Sequence, residues 1–519
     1  MTTQGANSAQ SPENKFLFSA CFVALIATAF GFIIRTLIIN DLGAEFNLSE
    51  TQKGEILGVG LWPFAISIVL FSLVIDKIGY GRVMAFAFVC HMLAGVITIF
   101  ANGYNMLYVG TFIMTLGNGA VEAVINPVVA TMFTKDKTRW LNALHAGWPG
   151  GLVVGGVIAL ALGPEADWQW KVGLVFVPTV AYGIMMFGRK FPVHERVAAG
   201  VSYQTMLREV GIIGALIIVA LMTFEVGRVF NFASFGTLPI GNIPLLNVLM
   251  IAAVVAVFAF YVRSFGRPLF IFLLLVMIPL ATTELGTDSW ITPLMETEMN
   301  KLGMQAGWLL VYTSFIMMVL RFMAGPIVHA LSPLGLLATC AAVAACGLTL
   351  LSVSAGALIL VAATLYGFGK AFFWPTMLGV VAERFPKGGA MTINTIAGVG
   401  MLSVGIVGSV FLGFVQDTSI GRELDDYDKE NSTQLHAKYI GEERNSVFGE
   451  YRPLDQDKVG TAGEEDKQVL ADVSNHARKG ALRTVAVLPV IMLVCYIGLI
   501  FYFRSIGGYK ALDIDDKTA

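Results

Sequence analysis

The chain has 519 residues, 56% of them hydrophobic and 13% charged, with a formal net charge of −2. An ordinary globular domain carries roughly 25% charged residues, so this composition excludes a soluble fold. The near-zero charge and the lack of a basic tail leave no handle for a nucleic acid.

Residues 1–15 are polar with one basic residue, Lys15. The apolar run that follows is too long for the core of a cleaved leader and is expected to stay as a first membrane span. A helix crosses a bilayer with about 20 mostly apolar residues. By that measure six spans are predicted near 16–39, 54–75, 83–101, 107–133, 140–162 and 171–189. A basic stretch with Arg189, Lys190, His194, Arg196 and Arg208 leads to two more, near 209–227 and 244–262. A second set of six lies near 268–292, 305–330, 334–353, 356–382, 389–415 and 482–503, making about 14 in all. The expected organisation is a six-helix unit over 1–190, a basic loop with two inserted helices over 191–265, and a second unit over 266–519. That second unit is interrupted by a polar, acidic segment, 416–481, expected to be disordered or a loose cap.

Lys and Arg placement sets the orientation. The loops after the second, fourth, sixth, eighth and twelfth spans hold Lys77 and Arg82, Lys135 to Arg139, Arg189 and Lys190, Arg263 and Arg267, and Arg384 and Lys387. All fall on one side, predicted to be cytoplasmic together with both termini, in the inner membrane of a bacterium. The five cysteines lie in apolar segments, so no disulfide framework, metal centre or other cofactor is expected. No phosphate-binding Gly-rich loop with a Lys-Ser/Thr end is present, which argues against ATP as the driving force.

The two halves echo each other. Asn126-Pro127 corresponds to Trp374-Pro375 at an offset of 248 (374 − 126); the same offset carries Glu122 onto Lys370 and Thr36 onto Glu284. Internal repeats of this kind are common in secondary transporters.

Asp76-Lys77-Ile78-Gly79-Tyr80-Gly81-Arg82, between the second and third spans, resembles the signature turn of the major facilitator superfamily. Arg321-Phe322 is similar to the Arg-Phe pair near the corresponding turn of its second half. The resemblance implies an all-α integral membrane fold of two six-helix bundles, here with two extra spans. It also makes Asp76, Gly79, Arg82 and Arg321 parts of a conformational switch loop. A narrower resemblance is to the fucose/galactose/gluconate proton symporters. It rests on Gly117-Asn118-Gly119-Ala120-Val121-Glu122, Asn126-Pro127, Arg139 to Ala146, and Ala281 to Trp290. It departs in the first helix: those symporters have an acid where Ile34-Arg35-Thr36-Leu37 stands.

Ionisable residues inside spans are costly and mark pathways. Glu122, about 16 Å from the basic end of its helix at 1.5 Å per residue, is the leading candidate for carrying a coupling proton. Lys370 is its expected partner across the cavity, and Arg35 is expected to meet Glu284, the two pairs acting as alternating gates. Asp288, four residues on from Glu284, reads as a solvated group near the surface. Asn118, Asn126, Asn142, His145 and Asn394 could hydrogen-bond a polar solute, with Trp148 and Trp374 stacking on it. The four buried charges sum to zero, which favours a neutral solute such as a sugar. The expected function is secondary transport of a sugar or similar small polar solute by a monomer, with coupling to protons. Alternatives are an organic-acid carrier with Arg35 and Lys370 on the carboxylate, an uncoupled facilitator, or a transporter-like sensor using 416–481. No cluster of His and acids sits at one depth, so an enzyme is not expected.

Overall fold

The computed structural model describes residues 11–48, 50–163, 166–238, 243–446 and 449–515. The first helix, α1 (Pro12–Glu45), starts where Ser11 accepts a hydrogen bond from the Asn14 N–H at 3.2 Å, with Pro12 in the first turn. The second span is broken: α2 (Glu50–Gly58) and α3 (Trp62–Ile78) flank a turn at Val59–Leu61. Gly79 ends α3 at φ 86°, a conformation that favours glycine. There follow α4 (Tyr80–Ile99), α5 (Tyr104–Met132), α6 (Lys137–His145), α7 (Gly147–Ala161), α8 (Trp168–Gly173) and α9 (Phe176–Met186). A short linker helix, α10 (Glu195–Ala198), leads to the pair α11 (Tyr203–Val229) and α12 (Leu245–Val262).

The second half opens with α13 (Pro268–Ala281), a π turn at Thr282–Gly286 and α14 (Thr287–Lys301). A span bent by 71° at Met323 contains α15 (Gly307–Phe322) and α16 (Ala324–Leu331). Next come α17 (Pro333–Val353), α18 (Leu358–Lys370), α19 (Phe373–Arg384) and α20 (Gly389–Ser403), then a π turn at Val404–Gly408 into α21 (Ser409–Asn431). Helices α22 (Leu435–Tyr439), α23 (Gln456–Gly460), α24 (Glu464–Val485) and α25 (Val487–Ser505) complete the chain, with an antiparallel hairpin of β1 (Arg444–Ser446) and β2 (Gly449–Tyr451) between α22 and α23.

Among the described residues 11 helices are long and apolar enough to cross a membrane, or up to 12 if the bent pair is one span. The predicted spans at 171–189 and 389–415 are not among them: the first is split between α8 and α9, and the second runs through the π turn into polar α21. Of the extra pair, α11 packs against α3, α13 and α20 and so touches both halves. Its partner α12 is peripheral, with 11% of its window buried.

Segment 416–481 is folded, contrary to the expected disorder. Ile420, Leu424, Leu435, Tyr439, Leu470 and Ala477 form a small core of their own between α21 and α24. Composition hid this, because the apolar residues are few yet fall on facing helical stripes. The cap grips the membrane unit at buried Glu298, at the end of α14. Lys479 lies at 3.1 Å and Lys301 at 3.2 Å from its carboxylate, and Asn475 donates to it at 3.4 Å.

At the opposite, basic-loop end the halves are tied together. Thr138 donates to Glu383 from N (3.1 Å) and Oγ1 (2.6 Å), and Lys137 donates to the Ala382 carbonyl at 3.2 Å. Linker helix α10 adds two ion pairs, Glu195 with Lys137 and Arg196 with Asp76. The switch-loop residues therefore separate: Asp76 is engaged, Gly79 shapes the turn, and exposed Arg82 only donates to the Ile78 carbonyl at 3.3 Å.

Candidate functional site: a central cavity between the two halves

Between the halves lies a cavity whose lining includes Phe32, Arg35, Gly60, Phe64, Asn118, Glu122, His145, Trp148, Glu284, Asp288, Arg321 and Trp374. Helix breaks surround it. The second span breaks at Val59–Leu61, the seventh helix of the 6+6 repeat has its π turn around Glu284, and α18 gives way to α19 at Ala371–Phe372. Such breaks are tolerated in a membrane where the freed backbone groups find partners or line a cavity. Here the Thr115 hydroxyl donates to the Val59 carbonyl at 3.0 Å, and Arg321 Nε to that of Ala371 at 2.6 Å.

The charges of the second half are paired with each other. Arg321 donates to Glu284 at 2.7 Å, and the second Glu284 oxygen accepts from the Trp374 N–H at 3.0 Å. Lys370 pairs with Asp288 and donates to Thr313 Oγ1 at 3.2 Å. Both expected cross-half pairs, Glu122 with Lys370 and Arg35 with Glu284, are therefore absent from this conformation. The physical reason is proximity. Asp288 and Arg321 are buried within the same bundle as Lys370 and Glu284 and satisfy them locally. Asp288 is thus not a solvated surface group, and Arg321 is a cavity residue, not part of a switch loop. Arg321 also reaches across to the other half, donating to the His145 carbonyl at 2.8 Å.

The first half is different. Glu122 accepts from the Asn126 amide, and His145 Nε2 donates to Asn126 Oδ1 at 2.8 Å and lies 4.0 Å from the Glu122 carboxylate. Among the described residues Glu122 has no Lys or Arg within ion-pair distance. Arg35 has none of its own either: its guanidinium lies 5.8 Å from the Phe32 ring centre, and its buried Nε finds no acceptor. It packs directly over Gly60, where a Cβ would come within 2.6 Å of its Cζ. Gly60 was not singled out in the sequence, since its only signal is a glycine inside an apolar span.

Of the expected solute-binding amides, Asn118 lines the cavity but accepts from His91 at 3.0 Å. Asn126 serves Glu122 and His145. Asn142 and Asn394 lie off the cavity and join the halves, donating to Thr376 Oγ1 and the Ala123 carbonyl at 3.1 Å each. Trp148 and Trp374 do line it; the Trp290 side chain lies outside the described residues.

Comparison with known proteins places this architecture. The Major Facilitator Superfamily description matches residues 18–409, and the chain belongs to that family. With its long apolar helices it is a multi-pass membrane protein of that family. A similar curated protein is the cis,cis-muconate transport protein of Acinetobacter baylyi, 25% identical over 33% of this chain. That match spans 42% of the relative's length, less than half. Similar folds include the human organic anion transporter MFSD10, with TM-score 0.58 at 11% identity, covering 94% of this chain and 100% of that one. The Escherichia coli fucose:proton symporter FucP in its outward conformation has TM-score 0.52 at 13% identity, covering 91% and 98%. At such identities the likeness is one of fold.

Proposed function

We propose that this transporter carries a small organic acid with an apolar or aromatic body, bound through one carboxylate to Arg35, together with one proton held on Glu122. The observation that carries the reading is Arg35: among the described residues it is the one Lys or Arg lining the cavity without an acidic partner. A buried cation left unpaired costs several kcal/mol, and a bound carboxylate removes that cost. The walls around it, Phe32, Phe64, Leu61, Trp148 and Leu152, suit a hydrocarbon or ring better than a shell of hydroxyls. Of the amides that a sugar would need, Asn142 and Asn394 do not line the cavity, and the Asn118 oxygen is taken by His91.

Charge balance supplies the coupling. Arg35, Arg321 and Lys370 offset Glu122, Glu284 and Asp288, so an anion entering the cavity leaves one net negative charge in a low-dielectric interior. Of the three acids, Glu122 alone can take up a proton without stranding a cation. One carboxylate and one proton then enter as a neutral pair and leave as one. Release to the other side requires the ties at the basic end to open: Thr138 to Glu383, Asn142 to Thr376, and Asn394 to Ala123. That end faces the cytoplasm in this reading, and the folded cap lies outside. The name of one similar protein, a muconate transport protein, supports an acid substrate.

A thermal-shift screen of purified protein tests the class. Small aromatic and unsaturated carboxylates should raise the melting temperature, and fucose, xylose and polyols should not. Stabilisation by the sugars with none by the acids would overturn the proposal.

A further inference from the structure

We infer that a groove on the membrane-facing side of the first bundle, at its basic end, is a selective site for an anionic phospholipid. The groove lies open between α4 and α9. Its walls are apolar, with Met84 and Phe88 from α4 and Val180, Ile184 and Phe187 from α9, and it is floored by Phe191 where the chain folds back beneath Gly81. Ile184 and Phe187 are 72% and 88% exposed, so this surface is presented to lipid. Measured along either helix the groove extends over about 10 Å, the depth of the headgroup and upper acyl region. Its only charged lining residue is Arg189.

The charge at the rim selects the occupant. The nearby acids are taken inward: Asp76 by Arg196, and Glu195 by Lys137. Arg189 stacks on Phe16 at 4.4 Å and, among the described residues, has no acidic partner. Exposed Lys190 follows it in sequence, and Arg82 stands next to groove-lining Gly81, its guanidinium donating only to a backbone carbonyl. An apolar slot that ends in unpaired cations at the headgroup level fits two acyl chains below and a phosphodiester without a compensating ammonium above. Phosphatidylglycerol has that chemistry; phosphatidylcholine, whose headgroup carries its own cation, does not.

The test is native mass spectrometry of the full-length protein in mild detergent, offered equimolar phosphatidylglycerol and phosphatidylcholine with identical acyl chains. Wild type should retain phosphatidylglycerol preferentially. Arg189→Gln should weaken that retention about fivefold, the worth of one interfacial cation, and Arg189→Lys should restore most of it. Ala85→Trp, at an exposed small residue on the groove wall, should reduce retention of both lipids with little change in melting temperature. Equal retention of the two lipids by wild type, an unchanged preference in Arg189→Gln, or full retention in Ala85→Trp would each overturn the site.

Discussion

The two walls of the central cavity use the same residue types in opposite ways. In the second half every cavity charge has a partner: Arg321 with Glu284, and Lys370 with Asp288. In the first half Arg35 and Glu122 lie in the same cavity with neither joined to an opposite charge of its own. A paired charge in a dry interior holds a shape, because breaking it strands its partner. A lone one asks for a ligand or a proton. The second wall is thus the rigid frame, and the first carries the reversible chemistry.

That asymmetry predicts different damage from similar substitutions. The largest effect on folding is expected at Lys370. Lys370→Gln strands Asp288 and should cost about 3–5 kcal/mol of stability, read as a fall in melting temperature in detergent, and adding Asp288→Asn should recover much of it. Arg35→Gln removes a charge that has no acidic partner among the described residues, so the melting temperature of the ligand-free protein should not fall and should rise as the cost of the unpaired charge is relieved. Equal losses at the two sites would erase the distinction between the walls.

Glu122→Gln probes the proton. In proteoliposomes with a pH gradient, the accumulation ratio of a carboxylate identified by the thermal-shift screen should fall to about one, following the charge-balance argument, while exchange across the membrane persists. Undiminished accumulation would move the coupling group to the second wall. A smaller effect is expected at Gly60. Gly60→Ala puts a methyl group where the Arg35 guanidinium rests and 2.8 Å from the Leu57 carbonyl. It should cost about 1–3 kcal/mol in overpacking and weaken acid binding without abolishing it, as measured by titration calorimetry.

The smallest effect concerns the cap. Burial alone would raise the Asp428 pKa, but the Thr433 hydroxyl and the backbone N–H groups of His436 (2.9 Å) and Leu435 (2.8 Å) donate to its carboxylate and hold it below the usual carboxylate range. A depressed carboxylate pKa stabilises the fold above the unfolded pKa, and that contribution is lost as pH falls through the folded value. Segment 432–440 should therefore loosen locally on acidification below pH about 4, seen in the NMR signals of its amides. Asp428→Asn should be loose already at neutral pH.

Much of this was legible in the sequence. Apolar run lengths gave the helical membrane fold, and the Asp76 to Arg82 turn pointed to the family. Intramembrane charge picked out Arg35, Glu122, Glu284 and Lys370, all of which lie at or against the cavity. Who pairs with whom was not legible. Repeat symmetry relates positions between halves, but an ion pair forms with the nearest opposite charge, and Asp288 and Arg321 were closer than anything across the cavity. The folded cap was hidden for a related reason: its core is built from a few apolar residues spaced along two polar helices, below what composition registers. Gly60 carries no chemistry that a sequence displays, only an absence that lets Arg35 lie flat.

The central claim is that Arg35 anchors a carboxylate, and an acid set against its own amide tests it most directly. Titrating purified protein with nicotinate and nicotinamide, and with benzoate and benzamide, holds the body of the ligand nearly constant while removing the charge. Wild type should bind at least one of the acids and neither amide, and Arg35→Gln should lose about 2–5 kcal/mol of that affinity with no fall in its ligand-free melting temperature. Acids and amides bound equally well, or an acid bound as tightly by Arg35→Gln as by wild type, would contradict the account.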